Sequence, residues 1–84
     1  MKLKELQVKT AKPQDKNYKL SDGSGLFLII TSTGGKWWRF RYRFGGKEKM
    51  LSFGTYPDIS LSEARVKRQE ARNMVANGID VNRH

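Results

Sequence analysis

The chain has 84 residues, no cysteine and one histidine, at position 84, which removes disulfides and thiolate sites and leaves no cluster suited to a metal. Seventeen Lys and Arg against eight Asp and Glu give a formal charge of +9, an excess that points to a polyanionic partner, with nucleic acid ahead of an anionic membrane surface. No apolar run approaches the roughly 20 residues of a membrane span and no signal-peptide pattern opens the chain, so a single cytoplasmic domain is expected.

Residues 1–13 form a lysine-spaced lead with Leu3, Leu6 and Val8 as apolar points, and Pro13 closes any helical turn before it. This reads as an arm against a sheet, with Lys9 and Lys12 outward. Tyr18-Lys19-Leu20 is a candidate short edge strand, and Ser21-Asp22-Gly23-Ser24-Gly25 a tight turn. In that company Asp22 reads as a turn former before a catalytic carboxylate. Leu26-Phe27-Leu28-Ile29-Ile30 is a strand whose uniform apolarity does not select an inner face. A turn through Thr33-Gly34-Gly35 aligns Leu26, Leu28 and Ile30 with Trp38 on the inner side. Phe27 and Ile29 then form an apolar patch on the other face, suited to thymine methyl groups or a partner protein.

Lys36 to Phe44 organises the rest. From Trp38 it alternates rings (Trp38, Phe40, Tyr42, Phe44) with arginines (Arg39, Arg41, Arg43), the period of a strand with one buried and one wet face. Burying three unpaired guanidiniums costs more than a small domain can offset, so the rings go inward. The arginines then stand in a row headed by Trp37, about 14 Å long, or roughly four base-pair steps. Gly45-Gly46 is a two-residue hairpin loop. It sets Phe44 opposite Lys47, Arg43 opposite Glu48 as a cross-strand ion pair, Phe40 opposite Leu51 and Trp38 opposite Phe53. Lys49, facing Tyr42, is expected to snorkel outward.

Residues 54–59 turn the chain off the sheet, and Ser60 with Glu63 forms a capping box that starts a helix at Leu61. That helix runs to about Asn77 and stops at Gly78, with Ile79 folding back. Leu61, Ala64, Ala71 and Val75 share its apolar face. Arg65, Lys67, Arg68 and Arg72 flank the stripe as a mostly solvated face. Residues 1–80 form the domain, and residues 81–84 begin a linker.

Catalysis finds little support. Gly34-Gly35-Lys36 and Gly45-Gly46-Lys47 lack the remaining residues of a phosphate loop and lie between strands. No nucleophile has a base beside it, and no acidic pair, cofactor site or metal site emerges. A binding module fits: a small antiparallel sheet enters the major groove, where arginine reads guanine, or its arginines hold phosphates without reading sequence. The bland alternatives are a strand made basic for solubility and a Trp37 that only covers the sheet edge. Two other classes stay open. An RNA-binding basic domain would stack bases on Phe27 and Trp37, and a protein–protein or dimerisation module would use Phe27, Ile29 and Met50.

The ordered series Lys12-Pro13, Lys16 to Gly23, Gly25 to Leu28, Gly35 to Tyr42, Gly54 to Leu61, Glu63-Ala64-Arg65 and Ala76 to Asp80 resembles the N-terminal arm-binding domain of tyrosine-recombinase integrases from prophages and genomic islands. Val81 stands where that family commonly has proline. The resemblance implies an α+β fold, a three-stranded antiparallel sheet with a possible extra N-terminal edge strand, backed by one C-terminal helix and similar to plant ethylene-response-factor domains. It implies binding of duplex DNA, at arm-type repeats near an attachment site, through Arg39, Arg41 and Arg43 with Trp37, Lys36, Lys47 and Ser52 around them. It also implies self-association or accessory DNA-bending and directionality proteins as partners, no membrane, and a recombination chemistry that resides in other domains.

Overall fold

In the computed structural model, which describes residues 2–81, the chain runs α1 (Glu5–Thr10), β1 (Tyr18–Gly23), β2 (Leu26–Ile30), β3 (Lys36–Phe44), β4 (Lys47–Thr55) and α2 (Leu61–Ala76). The strands form one antiparallel sheet in the order β1-β2-β3-β4. The α+β class is as expected, but the edge strand is fully formed and the N-terminal lead contains a helix. Six residues carry too little local propensity to announce a helix on their own. This one is held by tertiary contacts. Val8 is enclosed and Leu3 is buried, while Gln7 Oε1 adds a local cap by accepting the Lys4 amide at 2.8 Å. The Lys36 ammonium donates to the carbonyls of Val8 at 2.7 Å and Lys9 at 3.1 Å, closing the end of α1 where unpaired carbonyls collect.

The strand faces divide as the alternation requires. Leu26 lies opposite Phe40, Leu28 opposite Trp38 and Ile30 opposite Lys36, and Trp38, Phe40 and Tyr42 are all buried. Gly45 and Gly46, with φ of 60° and 76°, turn β3 into β4, and the expected pairing holds from Phe44–Lys47 to Arg39–Ser52. There it slips: Trp38 lies opposite Gly54, not Phe53, because Phe53 is the extra residue of a bulge. Phe53 still packs on the ring side, stacked on Phe40 at 5.8 Å. Past the slip, the Trp38 indole N–H donates to the Ile59 carbonyl at 2.7 Å, so a fully buried polar atom is satisfied.

Helix α2 begins and ends as its sequence dictates. The Ser60 hydroxyl accepts the Glu63 amide and Glu63 Oε1 accepts the Ser60 amide, each at 3.2 Å. At the other end the amides of Gly78 and Ile79 donate back to Val75 and Met74, at 3.0 and 2.9 Å, with Gly78 at φ 77°, the Schellman pattern. Leu61, Ala64 and Ala71 are buried against the ring face. The side chain of Ile79 is exposed, so only its backbone folds back.

Asp22 corrects the reading of two regions. Its carboxylate is enclosed at the end of β1, where it accepts the Leu3 amide at 2.7 Å, Arg65 at 3.1 and 2.9 Å, and Arg68 at 2.8 Å. It is therefore a clamp beneath α2, not a turn former, and Arg65 and Arg68 are not a solvated face. Arg68 falls between Ala64 and Ala71 on the inward stripe, where a guanidinium needs a carboxylate. A second buried carboxylate, Asp80, accepts the Tyr42 hydroxyl at 2.9 Å and pairs with the Lys49 ammonium. Lys49 is thus tied inward instead of snorkelling. Val81, read as the first linker residue, is buried in the cluster with Phe40, Tyr42 and Ala71; residues 82–84 of the expected linker lie outside the described residues.

Burial alone would push the Asp22 carboxyl up, but Arg65, the Leu3 amide and Arg68 hold it below its ordinary value. A carboxylate depressed in the folded state contributes stability that is complete above about pH 4 and lost as pH falls through the folded value. Asp22→Asn is expected to lower unfolding free energy by about 3 kcal/mol at neutral pH, since it leaves guanidiniums under the helix without their charge. Urea melts from pH 7 down to pH 2 check both points: the wild type should lose its advantage over the variant only in the acid range.

Candidate nucleic-acid interface

The side of the sheet away from α2 is built from alternate residues of all four strands. β3 contributes Trp37, Arg39, Arg41 and Arg43. Beside them stand Phe27 and Ile29 of β2, Lys19 and Ser21 of β1, and Glu48, Met50 and Ser52 of β4. The sidedness inferred from alternation is therefore present: guanidiniums on the open face, rings beneath the helix. Arg41 and Arg43 are exposed, while Arg39 is half-buried between Phe27 and Ser52. The Nε of Arg39 is enclosed with no hydrogen-bond partner, so close packing fixes this side chain at the expense of one donor.

Arg41 is exposed but held from two sides. Its Nε lies 3.1 Å from Glu48 Oε1, and its guanidinium carbon is 5.8 Å from the centre of the Phe27 ring. Lys19 stands over the same ring at 5.2 Å. These two cations cover Phe27, which is only 7% exposed, so the expected open patch is reduced to Ile29 and Met50. The expected Arg43–Glu48 ion pair is also corrected. Those residues are register partners, but the carboxylate reaches diagonally to Arg41, a separation that long side chains span readily. Among the described residues Arg43 has no ion pair.

Trp37 is 41% exposed at the head of the row. Its indole lies so close over Gly35 that a Cβ there would sit 2.8 Å from Nε1, which explains a glycine in that turn. Ser52 is exposed beside Arg39. Two expected members stand elsewhere. Lys36 shares the parity of Trp38, and its ammonium binds the end of α1 and lies 5.3 Å from the Tyr56 ring. Lys47, opposite Phe44, is exposed on the helix side at the hairpin tip. Lys19 and Glu48 are the members that sequence reasoning passed over. The signal for Lys19 was present: an edge strand pairing Tyr18 with Ile30 puts Lys19 beside Ile29. Among the described residues no group of three or more His, Cys, Asp and Glu gathers as metal ligands, and no helix is long and apolar enough to cross a membrane.

A charged sheet face of this kind suits a polyanion, and comparison with known proteins decides the family: the model of the arm DNA-binding domain matches residues 3–84. The chain belongs to the arm DNA-binding domain family. It is 49% identical over 82 residues to the integrase of Enterobacteria phage P4, covering 95% of this chain. It is 47% identical over 74 residues, 88% of the chain, to the prophage integrase IntS of Escherichia coli K12, and 44% identical over 84 residues, 98% of the chain, to the prophage integrase IntA of the same strain. The arm domain spans 19% of the first two relatives and 20% of the third. It is a DNA-binding domain and not the catalytic part of an integrase. The RNA-binding alternative is not favoured, and the covered Phe27 leaves that ring unfit as a stacking platform.

The arm domain's two kinds of cation are separable by experiment. Lys36→Met removes two charge-assisted hydrogen bonds to α1 and is expected to cost about 1.5 kcal/mol of stability. Arg43→Ala removes no ion pair among the described residues and should leave the unfolding free energy within about 0.5 kcal/mol of the parent. Parallel urea denaturation of the two variants checks the assignment.

Proposed function

We propose that the arginine face of the sheet enters the major groove of duplex DNA at arm-type repeats beside an attachment site, serving as the arm-binding module of a site-specific integrase. The observation that carries this reading is the row Arg39, Arg41 and Arg43 standing on the open face while the alternate rings pack under α2. A groove about 12 Å wide admits a two-stranded ribbon such as β3–β4. Arg39 and Arg41, held by their neighbours, are placed to read base edges. Arg43, exposed and without an ion pair among the described residues, suits a phosphate. Trp37 and Ser52 flank the row as sugar and phosphate contacts, and Lys47 at the hairpin tip reaches the groove wall. Lys36 contributes indirectly, by fixing α1.

The parent integrase would supply strand cleavage from other domains, joined after Val81. Further integrase copies and accessory DNA-bending or directionality proteins would assemble at neighbouring sites. Duplex binding measured against salt tests the core of this reading. Log affinity should fall with log salt at a slope of about −4 to −6, for roughly four to seven phosphates released from counterions. Arg43→Ala should reduce the slope by about 1 and weaken all sequences alike. Arg41→Ala should cost about 1–3 kcal/mol and flatten the preference at one base position. If replacing all three arginines by alanine leaves duplex binding unchanged, the sheet face is not the interface; if single-stranded RNA displaces the duplex at equal concentration, duplex DNA is not the preferred partner.

A further inference from the structure

We infer that Glu48 is a positioning residue that sets Arg41 to read a guanine, so that a carboxylate within the DNA-facing surface sharpens sequence preference. This rests on the reading of the arginine face as the DNA interface. A carboxylate in such a face is unfavourable for affinity, since it stands among groups that must approach phosphates. Its side chain is 55% exposed, so burial does not explain it. Nor does it pair with its register partner Arg43; it leans diagonally to Arg41, 3.1 Å from Nε.

The consequence lies in which edge of the guanidinium is left over. Glu48 faces the Nε side, and Phe27 lies 5.8 Å from the guanidinium carbon. Among the described residues, neither terminal nitrogen of Arg41 makes a hydrogen bond. An arginine held in this way presents two parallel N–H donors, which match the O6 and N7 acceptors of guanine in the major groove. An unsupported arginine visits many rotamers and meets a phosphate as readily as a base, and the ordering it requires opposes a specific contact. Lys19, over the same ring at 5.2 Å, narrows the space available to Arg41 on its β1 side. Arg43 has no such support, so the two neighbours divide into one reader and one phosphate contact.

The test is site selection from random duplexes with the 84-residue chain, followed by binding of the selected duplex and a scrambled one. Arg41→Lys, which keeps the charge but not the paired donors, should erase a guanine preference at one position, a loss of about tenfold, while retaining the salt slope. Glu48→Gln should reduce preference at that same position about threefold, the scale of one exposed ion pair, while scrambled DNA binds as tightly as before or tighter. In the Arg41→Lys background Glu48→Gln should change preference no further.

Equal strengthening of selected and scrambled binding by Glu48→Gln would overturn the inference, because the carboxylate would then act only as bulk charge. A preference lost at a different position from that of Arg41→Lys would also overturn it, because Glu48 would then read a base itself. Either result leaves the interface standing. Failure of the interface appears separately, as duplex binding indifferent to all three arginines.

Discussion

Asp22, enclosed at the end of β1, receives guanidinium donors from Arg65 and Arg68 of α2 and the backbone amide of Leu3. Three segments far apart in sequence meet on one carboxylate. The apolar stripe of α2 is thin, with Ala64 and Ala71 supplying two of its three buried side chains. Small residues bring the helix close but bury little area each. A directional charge contact at the centre of the stripe supplies what they do not, because its donors fit one azimuth of the helix. Once α2 is fixed over the rings, no helix among the described residues covers the other face of the sheet.

That open face is itself graded. Arg39 is wedged, Arg41 is braced by Glu48 and Phe27, and Arg43 projects without an ion pair among the described residues. The three share one residue type and one strand, yet their freedom increases toward the hairpin tip. Loss of conformational freedom on binding is correspondingly smallest at the strand's centre and largest at its end. A surface arranged in this way combines a rigid centre with an adaptable margin.

Most of the fold was legible because β3 alternates without a slip and because α2 carries its own start and stop signals, Ser60 with Glu63 and Gly78. What escaped had non-local causes. The bulge at Phe53 is fixed where Trp38 meets Ile59, through Gly54, and no pattern within β4 announces it. The helix at Glu5–Thr10 depends on a lysine 27 residues away from Lys9. Parity puts Trp37, Ser52 and the three arginines on the open face, which is where the register has them. Lys36, next to Trp37 in sequence, falls by parity on the Trp38 side, where its ammonium binds the end of α1. The diagonal choice of Glu48 depends on side-chain reach, which register alone does not specify.

Asp80 and Val81 bear on how the domain responds to load. Asp80 holds Tyr42 and Lys49, on adjacent strands, and Val81 is seated among Phe40, Tyr42 and Ala71. Tension on the backbone at Val81 would therefore not be absorbed by a slack tether. It would reach the undersides of β3 and β4 first, directly behind Arg41, Arg43 and Glu48, making the backbone at Val81 a mechanical lever on the arginine face.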